Sequence, residues 1–68
     1  MEAVVYIGDR LKTLRIRRAL TQQELAEKAG ISKTALNRIE LNKEEPHMST
    51  LRKLANALDV DPTELLGK

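Results

Sequence analysis

The sequence predicts an all-α domain of five short helices with no strands. Three observations carry that expectation. Apolar residues recur at spacings of three and four rather than two. Helix-start signals stand ahead of these patterns: Thr21 with Glu24, Ser32, and Asp61 followed by Pro62. Residues suited to a left-handed turn, Gly30 and Asn42, stand behind two of them. The chain's 68 residues leave room for one domain and one core. A domain of that size buries only about 60% of its unfolded-chain surface, so its margin of stability is narrow.

Residues 1–6, MEAVVY, have no helical period. They read as an N-terminal extension, either frayed or lying as an extended strip against a partner, and the folded domain is expected over residues 7–68. From Ile7 the pattern turns helical, with Ile7, Leu11 and Leu14 on one stripe. Arg15 lies on that stripe too, an unusual place for a charge. Ala19 stands where this first helix ends, without the glycine usually preferred there.

The second helix is expected over about Gln22 to Ala29, opened by a capping box. The Thr21 side chain can accept the amide hydrogen of Glu24, whose carboxylate can accept that of Thr21. Leu20 and Leu25 flank the cap as a hydrophobic staple. Leu25, Ala26 and Ala29 turn inward, and the small residues among them admit another helix closely. Gly30 can take positive φ and swing the chain round. The arrangement recurs eleven residues on, with Ser32 as cap, Ile31 and Leu36 as staple, and a third helix over about 33–41. Two capped helices joined through one glycine turn are a helix-turn-helix, the strongest signal in the chain.

In the third helix Leu36 and Ile39 face inward, which groups Lys33, Thr34, Asn37 and Arg38 on the outer face. Glu40, four after Leu36, borders the inner face. Asn42 is expected to close the helix, because asparagine tolerates positive φ best after glycine. Residues 42–48, NKEEPHM, form a polar loop. Leu51, Leu54, Ala55 and Leu58 mark a fourth helix whose start is ambiguous between His47 and Thr50. Asp61 as cap, Pro62 at the first position and Glu64 at the third mark a fifth, with Val60 and Leu65 as staple.

The net charge of +2 says little about partners. Its distribution says more: Arg10, Lys12, Arg15, Arg17 and Arg18 crowd into nine positions, while the acidic residues gather mainly after position 23. That asymmetry is a footprint for a polyanion. Tyr6 is the sole aromatic, which argues against gripping single strands by base stacking. His47 is the sole histidine and there is no cysteine, so no metal-ligand set or disulfide is expected. The sequence contains no nucleophile–base pair and no glycine-rich phosphate loop, and a bundle this small offers little cleft. Neither enzymatic activity nor a cofactor is expected. No stretch resembles a signal peptide or a membrane span, so the expected location is cytoplasmic, with no membrane partner.

Four segments, IGDRLKTLR, LTQQELAEKAGIS, LNRIE and LRKLANALDVDPTELL, come in an order and spacing that resemble the phage-repressor-type helix-turn-helix family, the Cro/repressor-like or XRE type. The resemblance covers roughly Ile7 to Leu66. It implies a compact five-helix, lambda-repressor-like domain whose third helix enters the DNA major groove. Carried over by position, Lys33, Thr34, Asn37 and Arg38 contact bases. Gln22, Lys43 and the amides near Asn42 contact phosphate, and Arg15 pairs with Glu40 to link the first and third helices. Chemistry agrees with two of these roles: the planar fork of Arg38 fits guanine N7 and O6, and a helix N-terminus at Gln22 favours a phosphate.

The sequence departs from the family at three places. Asn42 stands where glycine is usual, His47 replaces a Ser or Thr, and Pro62 and Glu64 occupy a dimer surface that is usually more apolar. The function implied is a sequence-specific double-stranded DNA-binding regulator, a repressor on a palindromic operator. Its homodimer is expected to be weak alone and strengthened on DNA. The alternative is an antitoxin-like module that grips a partner protein, with DNA binding secondary and the AVVY strip available for the contact.

Overall fold

A computed structural model describes residues 7–66; the extension expected over residues 1–6 lies outside the described residues. The chain forms α1 (Ile7–Arg17), α2 (Gln22–Ala29), α3 (Lys33–Glu40), α4 (Met48–Leu58) and α5 (Pro62–Leu66), with no strand among the described residues. Leu11, Leu25, Leu36, Leu54, Leu58 and Leu65 are each at most 1% exposed, so every helix sends at least one leucine to a common core. Burying such a side chain contributes about 1.5–3 kcal/mol. α2 packs against α4, with Ala26 and Ala29 of the one and Ala55 of the other buried. α1 packs on α3 and α5, and α3 also packs on α2.

Three of the four connections are built alike. The left-handed residues are Ala19 (φ 57°), Gly30 (φ 72°), Asn42 (φ 60°) and Asp59 (φ 57°). After each, the next amide donates to the carbonyl five residues back: Leu20 to Arg15 at 3.1 Å, and Ile31 to Ala26, Lys43 to Arg38 and Val60 to Ala55 at 3.0 Å. These bonds satisfy carbonyls that a helix end leaves without partners. At 19–21, 30–32 and 59–61 the order is then the same: a left-handed residue, an apolar residue and a cap. Leu20, Ile31 and Val60 are partly buried against the core.

Each cap makes its expected bond. Thr21 Oγ1 accepts from the Glu24 amide at 3.0 Å, and Ser32 Oγ accepts from the Ala35 amide at 3.0 Å. Asp61 Oδ1 accepts from both the amide and the hydroxyl of Thr63, at 2.9 and 2.8 Å. The Thr21 amide donates back to Glu24 Oε1 at 2.9 Å, which completes the capping box. That amide, and then the Thr21 hydroxyl, hold the Glu24 carboxyl below its ordinary value. The amide and hydroxyl of Thr63 do the same for Asp61.

One boundary differs from the sequence reading, and one left open is settled within its range. α3 ends at Glu40, one residue early, and Leu41 leaves the helix 54% exposed. α4 begins at Met48. His47 occupies its cap position but makes no side-chain cap bond, which is why no start signal was legible there.

Part of the basic run over residues 10–18 is also engaged within the fold. Arg10 Nε donates to the Glu64 carbonyl at 2.8 Å, and Arg18 Nη2 donates to the Asp59 carbonyl at 3.3 Å. Arg15 is half-buried in the interior. Three of the five cations therefore tie α1 and the turn after it to distant parts of the fold, and all but Arg15 remain exposed.

Gly8 explains how closely α1 approaches α3. A Cβ on Gly8 would overlap the Ile39 carbonyl oxygen, lie 2.6 Å from Asn42 Oδ1 and lie 2.8 Å from the Glu40 carbonyl oxygen. Two of the three atoms are backbone oxygens, so any larger residue requires α1 and α3 to move apart.

Candidate nucleic-acid interface

α3 divides cleanly by face. Leu36, Ile39 and Glu40 are buried, while Lys33, Thr34, Asn37 and Arg38 are exposed. Its orientation is fixed by a polar network under the surface. Glu40 is 5% exposed, and Arg15 grips it with two bonds: Nε to Oε2 at 2.7 Å and Nη2 to Oε1 at 3.1 Å. The third arm of the guanidinium, Nη1, donates to the Leu20 carbonyl at 2.8 Å. One side chain thus ties α1, its own terminal turn and α3 together. A two-bond guanidinium–carboxylate pair is among the stronger and more directional contacts available to side chains.

Gln22, at the start of α2, extends the network to the exposed face. Its Nε2 donates to Glu40 Oε1 at 3.0 Å and to Asn37 Oδ1 at 3.2 Å. Among the described residues, no buried side-chain nitrogen or oxygen lacks a partner. An unpaired charge at this depth would be strongly destabilising.

The expected contact residues fall into three groups. Lys33, Thr34 and Asn37 line one open groove together with Gln22. Arg38 stands apart from that groove, its Nε 3.1 Å from Glu44 Oε1 with both side chains about half exposed. Of the residues expected at phosphate, Lys43 is exposed and its backbone amide closes α3 on the Arg38 carbonyl. The Asn42 side chain, though exposed, is committed to α1: Oδ1 accepts from the Gly8 amide at 3.0 Å, and Nδ2 donates to Asp9 Oδ1 at 3.1 Å.

Sequence reasoning missed Glu44 and Gly8. The signal for Gly8 was its place inside a helical pattern, where a glycine marks close backbone approach. Glu44 lies six residues past Arg38 across a left-handed turn, which folds it back beside that side chain. Among the described residues no cluster of His, Cys, Asp or Glu could hold a metal ion, and no helix is long and apolar enough to cross a membrane.

The helix-turn-helix family pattern matches residues 11–65. The immunity repressor protein of Bacillus phage phi105 is 40% identical over 62 residues, covering 91% of this chain and 43% of the repressor. The chain spans about half the length of the other curated regulators it first matches. Among solved structures, SinR, the master regulator for biofilm formation, in complex with DNA, is 41% identical with a TM-score of 0.85. That match covers 88% of this chain and 97% of the SinR chain. The DNA-binding domain of the P22 c2 repressor is 29% identical with a TM-score of 0.88, covering 97% of this chain and 86% of that one. With the pattern matching most of the chain and the five-helix frame shared with repressor domains, the protein belongs to the helix-turn-helix family, of the XRE type.

Proposed function

We propose that this chain is the operator-reading domain of a transcriptional repressor, with α3 seated in the major groove of duplex DNA. The observation that carries the reading is the contrast between the two faces of α3. The outer face is polar and exposed, while the inner face is locked to α1 and α2 through Arg15, Glu40 and Gln22. A reading helix needs both, since base recognition demands side chains held in a fixed register. SinR, solved on DNA, and the phi105 immunity repressor are relatives whose roles agree with this one.

In this reading Lys33, Thr34, Asn37 and Arg38 meet base edges. The first-turn amides of α2 and the Lys43 ammonium meet phosphate, which anchors the register without selecting sequence. Leu65 is fully buried and Leu66 half-buried, which leaves α5 little apolar surface for a partner. The domain therefore pairs weakly alone and firmly on a palindrome, with half-sites about 34 Å apart, one helical turn. A cytoplasmic location goes with that role.

Selection of bound duplexes from a random pool tests the proposal, followed by affinities at several salt concentrations. Arg38→Ala is expected to cost about 1–3 kcal/mol per half-site and to relax the preference at one base pair. Lys43→Ala is expected to weaken all duplexes alike and to lower the salt slope by about one per half-site. A pool that yields no preferred duplex, with salt-insensitive capture of a partner protein instead, would favour the protein-gripping alternative and overturn the proposal.

A further inference from the structure

Gln22 makes bonds that a phosphate-gripping residue cannot make at the same time. A primary amide has two N–H donors on its nitrogen and an acceptor oxygen. Both Nε2 hydrogens of Gln22 are engaged, one by Glu40 Oε1 at 3.0 Å and one by Asn37 Oδ1 at 3.2 Å. The free end of the amide is then Oε1, an acceptor, and a phosphate oxygen is an acceptor as well. The two repel.

The direction of this chain of bonds is not arbitrary. Glu40 is nine-tenths or more buried and accepts two bonds from Arg15. A carboxylate only accepts, so Gln22 must turn Nε2 toward it. The second Nε2 hydrogen then needs an acceptor, and Asn37 must turn Oδ1 toward it. The Nδ2 donors of Asn37 are left on the far side of its amide, in the exposed groove shared with Lys33 and Thr34. The charge of Arg15 thus sets, through two intermediates, which half of Asn37 faces outward.

We infer that Gln22 is a positioning residue that fixes the polarity of Asn37, so that Asn37 reads an acceptor-bearing base edge and rejects cytosine. In the major groove guanine offers N7 and O6, adenine N7 and thymine O4 as acceptors, while cytosine offers the N4 amino donors. Lys33, beside Asn37 in the groove, also has donors only, which biases the same patch the same way. The inference rests on the DNA-reading role proposed above, and it assigns Gln22 a part in sequence preference rather than in backbone grip.

The test compares the parent, Gln22→Ala, Asn37→Ala, the double variant and Asn37→Asp on the selected duplex, its single-base variants and random duplex. Gln22→Ala and Asn37→Ala are expected to lose discrimination at the same base pair, on the order of tenfold. Gln22→Ala is expected to change nothing further there in the Asn37→Ala background. Asn37→Asp, which presents acceptors alone at an exposed position, is expected to move the preference at that base pair to cytosine. If Gln22→Ala weakened all duplexes equally and kept the parent's base preference, Gln22 would be a backbone contact and the inference wrong. An unchanged preference in Asn37→Asp would overturn it too, with no need for Gln22→Ala to fold. A parent that selects no duplex would instead overturn the DNA-reading role itself, and that outcome is visible before any variant is made.

Discussion

With 2% of its side chain exposed, Glu40 accepts from Arg15 twice and from Gln22 once. Removing it strands a guanidinium that is itself only 12% exposed. Truncating one partner of a buried pair costs roughly 3–5 kcal/mol, mainly because the other charge is left without compensation. A chain of this length holds only about 3–10 kcal/mol in total, at 0.05–0.15 per residue. Glu40→Ala is therefore expected to lower the melting temperature by about 10 °C or more, measured by circular dichroism. Arg38→Ala is the control: its pair with Glu44 is half exposed, worth about 0–1 kcal/mol, and should shift melting by only a few degrees. The Arg15–Glu40 link was legible in the sequence because each charge sat on or beside an apolar stripe. The links from Gln22 to Asn37 and from Arg38 to Glu44 were not. Periodicity reports which face a residue occupies, and says nothing of a bond between exposed side chains on different segments.

At the scale of elements, the repeated connector makes Ala19, Gly30 and Asp59 equivalent positions, and only one of them is glycine. A left-handed conformation costs an L-residue about 1–2 kcal/mol, least for Asn and Asp. Ala19→Gly should therefore stabilise the domain, by up to about 1 kcal/mol after the greater entropy of glycine in the unfolded chain is deducted. Asn42→Gly should do the opposite despite its similar φ, because it removes the acceptor for the Gly8 amide and the donor to Asp9. Urea midpoints of the two variants decide the matter; a shift in the same direction for both would refute it. The helix starts at Thr21, Ser32 and Asp61 were readable because a side-chain oxygen performs the capping. The end at Ala19 was readable too, but its left-handed backbone was not, since alanine carries no mark of that role and only alignment with the other connectors reveals it.

For the whole molecule, Arg10, Arg15 and Arg18 bind carbonyls and a carboxylate on parts of the chain far away in sequence: those of Glu64, Glu40 and Asp59. A charge run in the sequence cannot reveal this, because the acceptors are backbone carbonyls whose position depends on the finished fold. Five helices and their core, by contrast, were legible throughout, since burial follows the spacing of leucines and alanines. Among the described residues, the exposed large apolar side chains, Ile16, Leu41 and Met48, are single residues on different segments. An obligate dimer requires a larger and more apolar surface. Sedimentation of the free domain is expected to give a monomer at micromolar concentration, and a tight nanomolar dimer would contradict this.

Gly8 links the fold to the temperature at which the protein can work. Its α-carbon rests against the backbone at the end of α3, and its amide is held by Asn42. One added methyl group there would push α1 away from α3, the proposed reading helix, yet it would alter no residue of its exposed face. Gly8→Ala is accordingly expected to behave as a heat-sensitive allele: specific binding near that of the parent in the cold, lost on mild warming, and regained on cooling. Binding isotherms taken from 10 to 40 °C would reveal it, and a variant that kept the parent's affinity across that range would show that the contact between α1 and α3 is slack. Where such an allele controls a gene, warming the cell would release that gene without any change in the operator or in an inducer.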